Sequence, residues 1–317
     1  MARLVVFLLT IAIAFPGFAQ SIEPARKLFE AHKPEEAKKL LLAIKEGNKD
    51  YAEAQYYLGR IAFDARQYEE ALEFFEEAVD ENEKVADYQE WFGNAAGTVA
   101  QDANMFRQGM LAPKMKAAWE TAIQLDPKRL SPRFSLIEYY TQAPAVMGGS
   151  MEKAEATARE IIRLDPAAGH RALGNVFVKQ KKVIEAEKEY LEAVKINPQN
   201  TAVLANFYFN QNQHEKAFAL FEEALKKNPN DMLAHYQFGK TAALSGKKLN
   251  EGEASLKKYL TYQPAQNEPS HAGANMRLAQ INEKRGNKAE AKKLYESALR
   301  QDANLKEAKE GLERVSK

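Results

Sequence analysis

AEAQYYLGRIAFDARQYEEALEFFEEAVDENE, residues 52–83, is the stretch from which the rest of the chain can be read. Leu58 and Gly59 fall near the middle of a first helical segment, and Ala71, Phe75 and Ala78 stand at i, i+4 and i+7 of a second. That spacing puts the three on one face of the second helix. The polar run Asp64 to Gln67 separates the segments. A glycine in mid-helix costs about 1 kcal/mol against alanine. Its place beside an alanine stripe therefore implies two helices packed too closely for larger side chains. The unit is a helical hairpin.

The same order returns about every 34 residues. A small residue stands in each first helix at Gly59, Gly93, Gly174, Ala205, Gly239 and Ala279. A second small residue opens each second helix at Ala37, Ala71, Ala154, Ala186, Ala217, Gly252 and Ala291. A bulky residue follows at Leu41, Phe75, Trp119, Tyr190, Phe221, Leu256 and Tyr295, and an alanine at Ala78, Ala122, Ala193, Ala224 and Ala298. Prolines at 127, 166, 198, 229 and 264 close the copies, because a residue without an N–H and with fixed φ stops the second helix. In this register the chain resembles the tetratricopeptide repeat family over nearly its whole length after residue 19. The resemblance implies an all-α, right-handed solenoid of about eight hairpins at residues 20–50, 52–85, 86–129, 130–166, 167–198, 199–231, 232–265 and 272–304. A closing helix over 305–316 is expected to carry Leu305, Ala308, Leu312 and Val315 inward.

Several copies depart from the pattern. The first is expected to keep its second helix over Pro34 to Lys45 behind a short first helix. Repeat three holds about ten residues too many, roughly Gln101 to Pro113, with Met105, Phe106, Met110 and Leu111, and Met115 replaces a small residue. Repeat four carries about five extra residues within Gln142 to Ser150, where Gly148 and Gly149 allow positive φ and Ser150 can cap the next helix. Since turns of successive repeats lie in a row, the two insertions should be neighbours. A bare loop would expose the methionines, so the first insertion is expected to extend its flanking helices against Met147 or to contact a partner. In repeat seven Tyr259 stands where the family has alanine. The long-turn pair is similar to a variety found in secreted bacterial tetratricopeptide proteins of unassigned role.

Apolar residues are 45% of the chain and charged residues 28%, a soluble globular balance. Forty-five basic residues face 44 acidic ones, so nothing electrostatic argues for nucleic acid or anionic lipid. Arg3, the apolar run Leu4 to Phe15, and small residues at Gly17 and Ala19 have the form of a secretory signal, residues 1–19, cut before Gln20. The expectation is export to the periplasm, or secretion from a single-membrane host, with no membrane insertion after cleavage. With no cysteine, lipoprotein attachment, disulfides and thiolate metal sites are excluded.

Motifs for chemistry fail on inspection. Gly239-Lys240-Thr241 has a relaxed phosphate-loop pattern, but Gly239 is already the packing glycine of repeat seven and its N–H belongs inside a helix. His214-Glu215 opens like a zinc-protease helix, yet Phe218 stands where the second histidine is needed. Glu69-Glu70, Glu76-Glu77 and Glu222-Glu223 sit among lysines on outer faces, and read as solvated surface. The expectation is no catalytic residue, no cofactor and no metal.

The resemblance implies a concave groove lined by first helices, which would present Tyr56, Arg60, Phe63, Asn94, Glu138, Arg171, Asn175, Asn206, Phe209, Asn210, Tyr236, Lys240 and Gln280. Aromatic, arginine and asparagine side chains of that kind hold an extended peptide or a helix. The family's clamp for an acidic C-terminus is incomplete: Arg171 and Asn175 resemble its opening pair, but Val203, Leu233 and Gln237 hold the later positions. The reading is an exported, non-enzymatic scaffold for a protein or peptide partner. The alternatives are a self-assembling envelope protein, or an enzyme or metal-dependent factor built on the insertions. Against the latter, neither insertion contains histidine, and Gln101 to Pro113 offers only Asp102 as a carboxylate.

Overall fold

A computed structural model of the chain describes residues 21–265 and 267–317. The expected signal segment lies outside them. Among the described residues there are 17 α-helices and no strand. The chain divides into two compact units, Met1–Thr157 and Ala158–Lys317. The first holds α1 (Glu23–Glu30), α2 (Pro34–Leu41), α3 (Tyr51–Asp64), α4 (Tyr68–Glu81), α5 (Ala86–Asp102), α6 (Met105–Leu125), α7 (Ser131–Gln142) and the start of α8 (Met151–Leu164). The second continues from α8 through α9 (Pro166–Lys179), α10 (Val183–Ile196), α11 (Thr201–Asn210), α12 (His214–Lys227), α13 (Met232–Ser245) and α14 (Leu249–Tyr259). It ends with α15 (His271–Lys284), α16 (Lys288–Gln301) and α17 (Lys306–Ser316).

Each regular hairpin is held by the small residue of its first helix against the bulky residue of its second. A Cβ at Gly59 would lie 2.7 Å from the Phe75 ring, at Gly93 2.6 Å from Trp119, at Gly174 2.7 Å from Tyr190, and at Gly239 2.3 Å from Leu256. Only glycine admits these approaches, and the contact repeats in both units. The turns between paired helices share a left-handed residue at His32, Arg66, Lys181, Asn212 and Gly286. At Arg66 its N–H bonds the Phe63 carbonyl and the next N–H bonds that of Ala62, which satisfies the last carbonyls of α3.

The first copy differs from expectation. Its second helix stops at Leu41 rather than Lys45, and the chain tightens into i→i−3 bonds from Ala43 to Leu40 and Ile44 to Leu41. The turn ends the helix yet keeps Ile44 in the core, on the face that Ala37 and Leu41 already share. Tyr259 is completely buried, and its hydroxyl donates to the Pro269 carbonyl of the following loop, so the loop supplies the room an alanine would not need. At the other end Ala308, Gly311 and Val315 of α17 are buried, with Leu305 and Leu312 packed beside them, so the closing helix covers the last hairpin as its pattern implies.

The first insertion lengthens its flanking helices. α5 runs 17 residues and α6 21, leaving Ala103 and Asn104 as the turn, with the Asn104 side chain capping α6 at the Arg107 N–H. α6 continues through Pro113, which withholds the N–H that the Gly109 carbonyl would otherwise receive. Arg107 bonds Glu69 and Lys114 bonds Glu76, which lays the added turns along α4. Leu111 and Ala112 are buried, whereas Met105, Phe106 and Met110 stay exposed. In the second insertion Gly148 takes φ 95°, and the Ser150 hydroxyl accepts from the Lys153 N–H to open α8.

Candidate functional site

In the first unit the residues expected to line a groove divide. Tyr56 is buried and stacks on Tyr88 at 5.1 Å, so a neighbouring hairpin covers its ring. Arg60 donates to the Tyr56 hydroxyl and lies 4.0 Å from the Trp91 ring centre, and Phe63 meets Trp91 edge-on. Both belong to an aromatic cluster within the stack. Asn94 and Glu138 instead face one cleft of about 370 Å³ between α5, α6 and α7, with the second insertion at its edge.

That cleft is where the two insertions meet. Gln101 and Gln108 of the first and Met147 of the second line it, together with Met115 and Trp119 of α6. The Trp119 indole N–H donates to Asn94 Oδ1 at 2.9 Å, which fixes both side chains. The Tyr139 hydroxyl is used by the Met147 carbonyl, so the second insertion is tied to α7. The Glu138 carboxylate accepts from the Gln142 amide at 3.0 Å, and among the described residues it has no cation. The family pattern predicts Asn94 and Glu138, but Gln108 and Met147 enter only because the insertions carry them there, and Met115 because it replaces a small residue.

In the second unit, Arg171, Asn206 and Lys240 stand on α9, α11 and α13, and among the described residues their side chains have no hydrogen-bond partner. Asn175 is exposed and accepts from the Tyr190 hydroxyl at 2.7 Å. Phe209 packs on the His214 ring, and Asn210 is exposed. Tyr236 is buried against Tyr259 and offers no free ring face. Gln280 is engaged with Arg277 and Glu307. Burial lowers the pKa of the Lys240 ammonium, and the Arg277 guanidinium lowers it further. Hydrogen bonding from Arg277, at 2.7 Å, holds the Glu307 carboxyl below its usual range. Arg277 and Glu307 come from α15 and α17, so no reading of one repeat at a time finds them beside Lys240.

The residues weighed for chemistry sit in structural roles. Gly239 is in the middle of α13 under Leu256, and Phe218 is completely buried. The outer carboxylates are paired: Glu222 with Lys248 and Glu223 with Lys227. Glu187 on α10 accepts from the Tyr208 hydroxyl and Lys216, each at 2.8 Å.

The tetratricopeptide repeat family matches residues 25–86 and 241–305, and the family described as anaphase-promoting complex, cyclosome, subunit 3 matches residues 178–259. A solved tetratricopeptide repeat protein from Parabacteroides merdae ATCC 43184 superimposes with TM-score 0.56 at 14% identity, over 95% of this chain and 100% of that one. A thermophilic protein of the same kind from Thermus thermophilus gives 0.42 at 20% identity, over 60% of this chain and 98% of the other. A curated relative, U-box domain-containing protein 70 of Oryza sativa subsp. japonica, is 38% identical over 87 residues. The match spans 27% of this chain and 11% of that protein.

Proposed function

Because the chain is a tetratricopeptide repeat protein, we propose that it works as an exported, non-enzymatic scaffold that holds a peptide or helix of an envelope or secreted partner. The observation that carries this reading is the contrast between helix faces in the second unit. Second-helix carboxylates such as Glu187, Glu222 and Glu253 are satisfied by cations of the chain itself. On the first helices the side chains of Arg171, Asn206 and Lys240 have no hydrogen-bond partner among the described residues and can serve another molecule. Side chains of that kind bond an extended backbone or its polar groups, while buried rings such as Tyr236 stiffen the surface beneath. Among the described residues that line the cleft of the first unit Glu138 is the one carboxylate, so no carboxylate pair stands there to divide acid and base roles. Export is supported by the Arg3, Leu4 to Phe15 and Gly17-Phe18-Ala19 series.

The test is a peptide library selected on the chain lacking residues 1–19. Peptides it enriches should bind about tenfold or more weakly to the Arg171→Ala/Asn206→Ala/Lys240→Ala variant, the loss of one or more charge-assisted hydrogen bonds. Circular dichroism should show unchanged helix content. Undiminished binding to that variant, with loss in an outer-face variant, would place the site elsewhere.

A further inference from the structure

We propose that the cleft of the first unit, between α5, α6 and α7, receives an arginine side chain of an extended peptide, with the guanidinium on Glu138. The inference rests on the reading that the partner is a peptide, and it states what that peptide must present.

Size comes first. A space of about 370 Å³ exceeds any one water site and suits a long side chain with its flanking backbone. Charge comes next. Among the described residues that line the cleft Glu138 is the one carboxylate, and no lysine or arginine stands with it. The basic residues that the insertion brings nearby are already used, Arg107 on Glu69 and Lys114 on Glu76, and Lys116 is paired with Glu120. An acidic ligand would therefore meet an unneutralised carboxylate, and a cation would relieve it.

The remaining walls choose between cations. Ala112, Met115 and Met147 give an apolar, adaptable side against which an aliphatic stem can lie. The acceptors are spread around the cleft. Besides Glu138, Gln108 donates its amide N–H to the Ala103 carbonyl and so keeps its Oε1 for an incoming donor. A guanidinium has five N–H donors in a planar fork and serves separated acceptors together, whereas an ammonium is a compact point charge. Asn94 Oδ1 is occupied by the Trp119 indole, which makes that indole a reporter on the cleft wall.

The chain has two tryptophans, Trp91 and Trp119, and Trp91 lies against Arg60 in the aromatic cluster. Titration of the isotope-labelled protein with the capped tripeptide Ala-Arg-Ala should move the Trp119 indole N–H resonance and leave that of Trp91 in place. E138Q, an exposed and conservative change, should weaken binding about tenfold or more, the scale of a hydrogen bond to a charged group. Replacing arginine with citrulline, which keeps the shape and loses the charge, should do the same. If the citrulline peptide moves Trp119 as strongly, or E138Q binds as well as the parent, the cleft does not read charge and the proposal fails while the peptide-scaffold reading stands. It also fails if no tripeptide moves Trp119, or if that resonance shifts with protein concentration alone, since the occupant would then be a second copy of the chain.

Discussion

Two glycine-to-alanine changes separate close helix packing from helix propensity. Gly239 and Gly109 both lie inside helices, so alanine at either gains about 1 kcal/mol of propensity and unfolded-chain entropy. At Gly109 a Cβ meets nothing within 4 Å, and the gain should appear in full. At Gly239 the new carbon would stand 2.3 Å from Leu256 Cγ and within 2.9 Å of both its methyls. Leu256 is completely buried and cannot swing into solvent, so α13 and α14 must separate. Overpacking of that kind costs about 1–3 kcal/mol, which outweighs or cancels the propensity gain. Since the gain is common to both variants, their difference isolates the packing penalty, and Gly239→Ala should be about 1–3 kcal/mol less stable than Gly109→Ala. Urea titrations followed by circular dichroism measure it. A Gly239→Ala midpoint equal to or above that of Gly109→Ala would refute the close-packing argument for every hairpin.

Further outcomes follow from particular groups. Intact mass of the protein from its native host should correspond to a chain beginning at Gln20; one still beginning at Met1 would remove the export reading. Burial pushes the Tyr190 phenol up to about 12 from an ordinary 10.0, so its stabilising contribution is complete below pH 10 and is lost as pH rises toward 12. Tyr190 should contribute about 1.4 kcal/mol per pH unit in that window, beside other tyrosines that burial shifts the same way, and Tyr190→Phe should reduce the slope by that amount; an unchanged slope would contradict the assignment. Ala186→Leu and Ala217→Leu, at completely buried positions, should each cost about 1–3 kcal/mol in denaturant melts. Glu187→Leu strands the Tyr208 hydroxyl and Lys216 and should cost more than Lys188→Leu at the exposed neighbouring position; equal costs would show the pair is idle.

The hairpins were legible because their signal is local and steric. Gly59 and Phe75, or Gly174 and Tyr190, declare a contact through size alone, and repetition multiplies the signal. What could not be read has non-local or competing causes. His32, Arg66 and Lys181 take left-handed backbone that sequence patterns reserve for glycine, because the hairpin imposes the turn. That α6 runs unbroken through Pro113 depends on Arg107 and Lys114, which hold it to the acidic face of α4. Tyr56 and Tyr236 occupy groove positions in their own repeats and are covered by Tyr88 and Tyr259 of other segments. The candidate sites were half legible for the same reason: Glu138 and Lys240 follow from the register, while Met147, Arg277 and Glu307 enter from elsewhere in the chain.

The claim that first helices hold the partner is met most directly by photo-crosslinking from two positions of the purified chain. A benzophenone side chain is placed at Asn206 of α11 or at Lys188 of α10, both exposed, and each protein is irradiated with a peptide selected on the parent. The account predicts an adduct from position 206 and none from position 188; an adduct from 188 alone would contradict it.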